Sequence, residues 1–382
     1  MKIKLKGVTW SHSRGYTPLS AVSQRFCELH PEVSISWEKR SLQEFADAPI
    51  ENLADSYDLL VIDHPWAGFA ASTGILLPLN QYLTKEYLDD QHTNSVGLSH
   101  ISYNFEGFQS ALAIDAATPV AVYNPDFFKG EGRSLPTDFS EVLDLAKQGL
   151  VAYAGIPLNL LMDFYMFCAT STEHFFDNEE TIIDKETGTE VLETMRQLAS
   201  YCRKDIFDWD PIHVHEALSK DSGLAYCPFA YGYTNYSRRG YCKQPLKAGD
   251  LVRYKGSMLK SVLGGTGLSV SSHCKNRDMA ILFAQYTASP LIQTTLYTEN
   301  GGQPAHRSAW LDERNNLLTM DFFKNTIESL DNSYLRPRYS GYLYFQDHAG
   351  DYIQHYVRNG GDPFAVLEQL NQLYRESRRK DL

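Results

Sequence analysis

The first sixty residues alternate short apolar segments with amphipathic ones, and that alternation restricts the chain to a layered α/β architecture. Ile3 to Thr9 reads as a strand, and Pro18 to Leu29 has helical periodicity through Leu19, Val22, Phe26 and Leu29. Val33 to Trp37 alternates as a second strand, Leu42 to Leu53 is helical, and Leu59 to Ile62 is a compact apolar strand. Strand, helix, strand, helix, strand at this spacing predicts parallel pairing. Ligands of such sheets sit beyond the carboxyl ends of the strands. Two of those ends carry polar and aromatic clusters, Trp10-Ser11-His12-Ser13-Arg14 and Asp63-His64-Pro65-Trp66.

The rest of the chain continues in the same style. Ala111 to Tyr123 reads as two strands meeting around Asp115 to Pro119. Helices are expected over Asp138–Lys147, with Thr137 or Asp138 as cap, and over Val191–Arg203, His213–Lys220 and Arg277–Ser289. Strands are expected over Leu224–Phe229 and Leu268–Ser271. The tail from Asp362 to Arg378 is helical, with Asp362 capping and Pro363 in the first position. A chain of 382 residues has room for two lobes at roughly 100–200 residues per domain.

Composition narrows the function classes. A net charge of -12 repels phosphate backbones and anionic lipid, so nucleic-acid binding is not expected. The longest stretch free of Asp, Glu, Lys and Arg, His64 to Thr84, is broken by Pro65, Pro78, Gly68, Gly74 and Asn80, so no membrane insertion is expected. Met1 to Gly7 is basic like the opening of a signal peptide, but Val8-Thr9-Trp10-Ser11 follows instead of an apolar core segment. A native start at Met1 would imply a cytoplasmic protein. The six cysteines form no CxxC pair and fit no zinc spacing. His213 and His215, beside Asp208 and Asp210, do not face one ligand on a helix, and no metal or other cofactor is expected.

Five stretches carry a resemblance: YDLLVIDHPWAG with GILLPLNQYL, ALAIDAATPVAVYNPDFF, GGTGLSVSSHCKNRDMAILFAQYTASPLIQ and GGQPAHRSAW. Collinear over some 300 residues, they make the chain similar to the extracellular solute-binding proteins of ABC transporters, the carbohydrate-type family with the maltose-binding-protein fold. The resemblance implies an α/β, two-lobed periplasmic-binding-protein-like fold (type II). Each lobe would be a mostly parallel sheet flanked by helices, with a ligand cleft between lobes. The N-terminal lobe would comprise 1–115 plus 266–308 and the C-terminal lobe 116–265 plus 309–382. Hinges are expected at Asp115–Thr118, Leu263–Thr266 and Arg307–Trp310. It further implies a monomer, periplasmic or extracellular, that closes on a small molecule and delivers it to ABC permease subunits.

Candidate ligand-binding residues each have a structural alternative. Trp10, His12 and Arg14 offer a stacking ring and polar donors, or a loop whose Trp covers the core. Asp63, His64 and Trp66 offer a carboxylate for paired hydroxyls, or a turn that Asp63 caps. Asp115 interrupts an apolar run and, with Thr118, lies at the crossover; a buried charge there must be paired or face a cleft. Tyr231, Tyr233 and Asn235 suit pyranose faces and hydroxyls, or a core with its hydroxyls outward. Asn159, with Asp163 near it, Gly265, Gln303 and Arg307 complete the set. Gly265 either admits a ligand to the backbone or turns a hinge, and Arg307 suits an anion or an ion pair.

No GxSxG or other nucleophilic constellation is present. Bacterial thiaminase, an enzyme that resembles the solute-binding proteins, uses a cysteine near the crossover; Ser110 to Thr118 has none. The expected function is therefore binding of a sugar, polyol or related polyhydroxy compound. The alternative is a cytosolic protein of the same fold acting as an enzyme or ligand sensor, or a binder of a carboxylate or other anion.

Overall fold

The computed structural model describes residues 2–40 and 50–380. The expected helix Leu42–Leu53 falls partly outside them, and its described part is a helix over Ile50–Ser56. The chain forms two compact units, Met1–Ala117 with Leu263–Thr319, and Thr118–Val262 with Met320–Leu382.

The first unit is organised by a five-stranded sheet in the order Val33–Arg40, Ile3–Trp10, Leu59–Ile62, Gly264–Val270, Leu112–Ala117. The first three strands are parallel, as the opening alternation requires. Gly264–Val270 runs antiparallel to both its neighbours, so four of the five strands share one direction and a single reversed strand makes the sheet mixed. The cause is the chain path: Leu112–Ala117 ends where the chain leaves the unit, and Gly264–Val270 begins where it returns, pairing Gly264 with Ala117. Helix Ser13–Leu29 lays Leu19, Val22 and Phe26 on this sheet. Phe26 meets Phe283 of helix Arg277–Thr287 edge-on at 5.2 Å. Each such side chain contributes about 1.5–3 kcal/mol by leaving water.

That helix starts at Ser13, five residues before the expected Pro18. The His12 side chain accepts from the Arg14 N–H and caps it, while Pro18 is accommodated inside, so Ser13 and Arg14 are helical and not loop residues. Trp10 likewise departs from the stacking reading. It is 4% exposed and belongs to the core of this unit, and a Cβ on Gly15 would come within 2.5 Å of its ring.

The second unit has a three-stranded sheet, Tyr226–Tyr231, Pro119–Tyr123, Lys247–Gly249, antiparallel throughout. Among the described residues, parallel contact to these strands is the single bridge Val151 to Tyr226, so the mostly parallel expectation does not hold for this sheet. The reason again lies in the entry point: Pro119 opens its strand opposite Tyr231, which closes the neighbouring one. Helix Pro157–Ser171 is buried without interruption from Asn159 to Ala169. Helices Lys185–Tyr201 and Tyr342–Asn359 cover it, and helix Pro363–Arg378, capped by Asp362 as expected, packs on both. Helix Phe139–Lys147 carries the Asp138 cap with a reciprocal bond from Glu141.

Of the three expected hinges, Arg307–Trp310 lies inside helix Arg307–Leu311 of the first unit. The chain instead passes to the second unit between Thr319 and Met320, and both Met320 and Asp321 adopt left-handed backbone, φ 52° and 65°.

Gly265 has φ 99°, next to an irregularity in register between Thr266 and Gly267, and a Cβ there would come within 2.3 Å of the Asp115 carbonyl oxygen. A neighbouring strand therefore requires this glycine, whatever approaches from solvent. Gly265→Ala should lower stability by about 1–3 kcal/mol from backbone strain, before the clash is counted. Urea unfolding of the two proteins checks this; equal midpoints would show that the strand pair has slack.

Candidate functional site

In the first unit the expected residues converge on one buried ion pair. Arg14 Nε donates to Asp115 Oδ2 at 2.9 Å, and Arg14 Nη2 bonds Asp115 Oδ1. Arg14 is 4% exposed and Asp115 1%. Burial pushes the Asp115 carboxyl above its ordinary value, while the Arg14 charge and the Gln303 backbone N–H pull against that shift. Gln303 also clips the same strand, its Nε2 donating to the Ala116 carbonyl at 2.8 Å and its carbonyl accepting from Ala116 N–H at 2.9 Å. Asp115 bridges Pro304 as well. Fully buried Tyr297 senses both charges of the pair, and its hydroxyl has no hydrogen-bond partner among the described residues.

Asp63 takes the capping role. Its carboxylate accepts from His64 N–H at 2.8 Å at the start of the short turn His64–Trp66. His64 is wholly buried, edge-on to Tyr103 at 6.3 Å, and Trp66 is half-buried against Phe69. The Tyr103 hydroxyl donates to the Ile62 and Gly265 carbonyls, linking this strand end to the returning strand. Arg307 opens helix Arg307–Leu311 and is half-buried.

In the second unit Thr118 is consumed by the chain crossing. Its hydroxyl bonds Ser261 Oγ and donates to the Val262 carbonyl at 3.1 Å, and Ser261 Oγ reaches the Pro119 carbonyl at 2.6 Å. Tyr231 ends its strand half-buried, and the chain then turns inward, burying Tyr233, Thr234, Asn235, Tyr236 and Ser237. Tyr233 and Tyr236 pack on His215 of helix Pro211–Leu218, and the Tyr236 hydroxyl bonds Glu216 at 2.9 Å. His215 is turned into the helix, with Nδ1 2.6 Å from the Pro211 carbonyl, while His213 pairs with Asp210. The helix thus separates the two histidines, and no group of three metal-binding side chains occurs among the described residues.

Asn159 and Asp163 lie one turn apart on helix Pro157–Ser171, 8% and 5% exposed. Asp163 Oδ2 has no partner among the described residues, and burial pushes this carboxyl well above its ordinary value. Tyr153, which the sequence reading passed over, is 1% exposed, and its hydroxyl too is unpartnered among them. Cys227 is fully buried, and burial pushes its thiol well above the ordinary range, the opposite of an activated nucleophile.

Each of the two α/β units carries polar groups at its strand and helix ends. A family model described as bacterial extracellular solute-binding protein matches residues 24–314. The chain belongs to that family, which is one of binding proteins. Solved structures agree on the fold. The maltose-bound MalE3 of T. maritima is 14% identical with a TM-score of 0.85, covering 98% of this chain and 99% of that one. An ABC transporter solute-binding protein of Agrobacterium radiobacter K84 in complex with ribitol is 17% identical, with a TM-score of 0.81 and 98% of each chain covered. One from Thermotoga lettingae TMO bound with α-D-tagatose is 15% identical at 0.81, covering 98% of this chain and 100% of that one. No helix among the described residues is long and apolar enough to cross a membrane.

Two outcomes follow from the buried charges. Arg14→Met leaves Asp115 uncompensated and should cost about 3–5 kcal/mol, read as a lowered urea midpoint; a loss under about 1 kcal/mol would show that the pair is dispensable. Asp163 behaves oppositely. Its folded form holds the proton, so the wild type loses stability as pH rises above about 4, where the unfolded carboxyl ionises. The stability of Asp163→Asn relative to wild type should therefore grow by roughly 1.4 kcal/mol per pH unit until the folded carboxyl ionises. Unfolding curves at pH 4 and pH 7.5 measure this, and a constant difference would mean an ordinary carboxyl.

Proposed function

We propose that this protein captures a small polyhydroxy solute, a sugar or polyol, outside the cell membrane and delivers it to the permease subunits of an ABC importer. The observation that carries this reading is the family match over residues 24–314. The compounds bound by the similar structures, maltose, ribitol and tagatose, support the solute class. The side-chain chemistry supports it too. His12, Asp63, Trp66, Asn159, Tyr231, Tyr233 and Asn235 supply hydroxyl-binding groups and aromatic faces in the two units. Arg14, Asp115, Thr118, Gly265 and Gln303 hold these segments in place. Binding proceeds by hinge closure about the three points where the chain changes unit, Ala117–Thr118, Val262–Leu263 and Thr319–Met320, and the protein acts as a monomer.

The test is native mass spectrometry of the purified protein, with identification of anything released on denaturation, followed by thermal unfolding with maltose, ribitol, tagatose and a set of organic acids. A ligand at a hundred times its Kd should add about 2.7 kcal/mol to stability, a shift of several degrees. A response to organic acids only would replace the polyhydroxy reading with an anionic one. No response to any compound, together with an empty protein, would falsify the proposal.

A further inference from the structure

One cluster of polar groups in the second unit has no structural work to do. Helix Pro157–Ser171 is buried without interruption from Asn159 to Ala169, and that run carries the polar pair Asn159 and Asp163, four residues apart and so on one face. Neither side chain makes a hydrogen bond among the described residues, although they are 8% and 5% exposed. Tyr153, in the segment leading into the helix, has its hydroxyl buried and equally unpartnered, and it lies near the Asp163 carboxyl. The helix itself begins at Pro157 without a side-chain cap. Each buried polar group left without a partner costs about 1–3 kcal/mol, and native proteins keep few of them. The Tyr153 hydroxyl and Asp163 Oδ2, on two adjoining segments, are a standing cost that packing does not explain, and Asn159 adds an amide one turn from Asp163.

The support around them is rigid. Gln354 of helix Tyr342–Asn359 donates to the carbonyls of Gly155 and Phe207, both at 2.9 Å. Gly155 N–H bonds the Ile206 and Trp209 carbonyls, and a Cβ at Gly155 would come within 2.6 Å of the Ile206 oxygen. Tyr153 packs edge-on to Phe229 at 5.6 Å. Polar groups fixed on such a scaffold are prepared for a partner that arrives from outside.

We propose that Tyr153, Asn159 and Asp163 form a hydroxyl-binding subsite within the second unit, occupied by one hydroxyl group of the bound solute. The inference rests on the polyhydroxy reading above and adds which residues set its specificity. A neutral carboxylic acid, an amide and a phenol each donate and accept, so together they can satisfy a hydroxyl completely and reject a methyl or methylene at that point. An anionic group would meet no fixed positive charge from these three residues.

Isothermal calorimetry with maltose, ribitol and tagatose, and with any solute released from the purified protein, tests this on the full chain. Asp163→Leu should weaken the solute that binds by tenfold or more, whereas Asp163→Asn, which still donates and accepts, should stay within about threefold of wild type. A folded Asp163→Leu protein with wild-type affinity would overturn the subsite and leave the polyhydroxy reading standing, because the wild type would still bind. A wild type that binds none of these solutes removes that reading, and the subsite with it. Should Asp163→Leu show no cooperative unfolding, Tyr153→Phe, which deletes one oxygen, takes its place. A threefold or greater loss is expected there, and unchanged affinity would overturn the proposal.

Discussion

The bidentate contact between Arg14 and Asp115 is the interaction on which the first unit depends. It joins the first turn of the first helix to the strand by which the chain leaves the unit, 101 residues later. Around it the chain returns through Gly265, whose backbone passes too close to the Asp115 carbonyl for any side chain, and Gln303 fastens the same strand from a third direction. Two charges in an apolar interior are costly to desolvate, and a hydrophobic pair of equal volume could be as stable. What the ion pair adds is definition: a planar guanidinium fork and a carboxylate fit in one geometry, which fixes how the helix sits on the edge strand.

The second unit handles polarity differently. Thr118 and Ser261 tie the outgoing and returning segments with neutral hydroxyls, and Tyr233, Tyr236 and His215 form an aromatic floor under a loop of buried polar residues. Tyr153 and Asp163 stand apart from this economy of paired groups, each keeping a buried oxygen without a partner among the described residues. A binding protein must keep some of its polar atoms unsatisfied until a solute supplies their partners, and that requirement sets stability against affinity at the same residues.

Much of the fold was legible because periodicity and caps are local. The three parallel strands, Asp138 and Asp362 as caps, and the paired strands around Thr118 all declare themselves within a dozen residues. The antiparallel strands did not, because their direction follows from where the chain leaves and re-enters each unit, which no local pattern encodes. Helix Pro157–Ser171 was legible only as a helix start near Asn159 and Asp163, because its largely apolar run has little amphipathic period to read. Among site residues, Asp115 was visible as a carboxylate in an apolar run and Arg14 as a donor after the first strand, but their pairing was not, since contact across a hundred positions leaves no trace in spacing. The same signal that marked Asp115 also marks Asp163 within LNLLMDFYMFC, where it was given less weight. Trp10 and Asp63 turned out to cover the core and cap a turn, roles that aromatic and acidic residues fill at strand ends in any α/β sheet.

The position of Gly264–Val270 in its sheet bears on the order of assembly. This strand lies between Leu59–Ile62 and Leu112–Ala117, so two strands made early have nothing between them until a segment some 150 residues later emerges. The long insertion must be translated, and its ends brought together, before the first hydrophobic layer can close. Non-local pairing of this kind slows folding and leaves strand edges open to other chains in the interval. The nascent protein therefore spends much of its synthesis with its N-terminal half unfinished, and completes both units nearly together at the end.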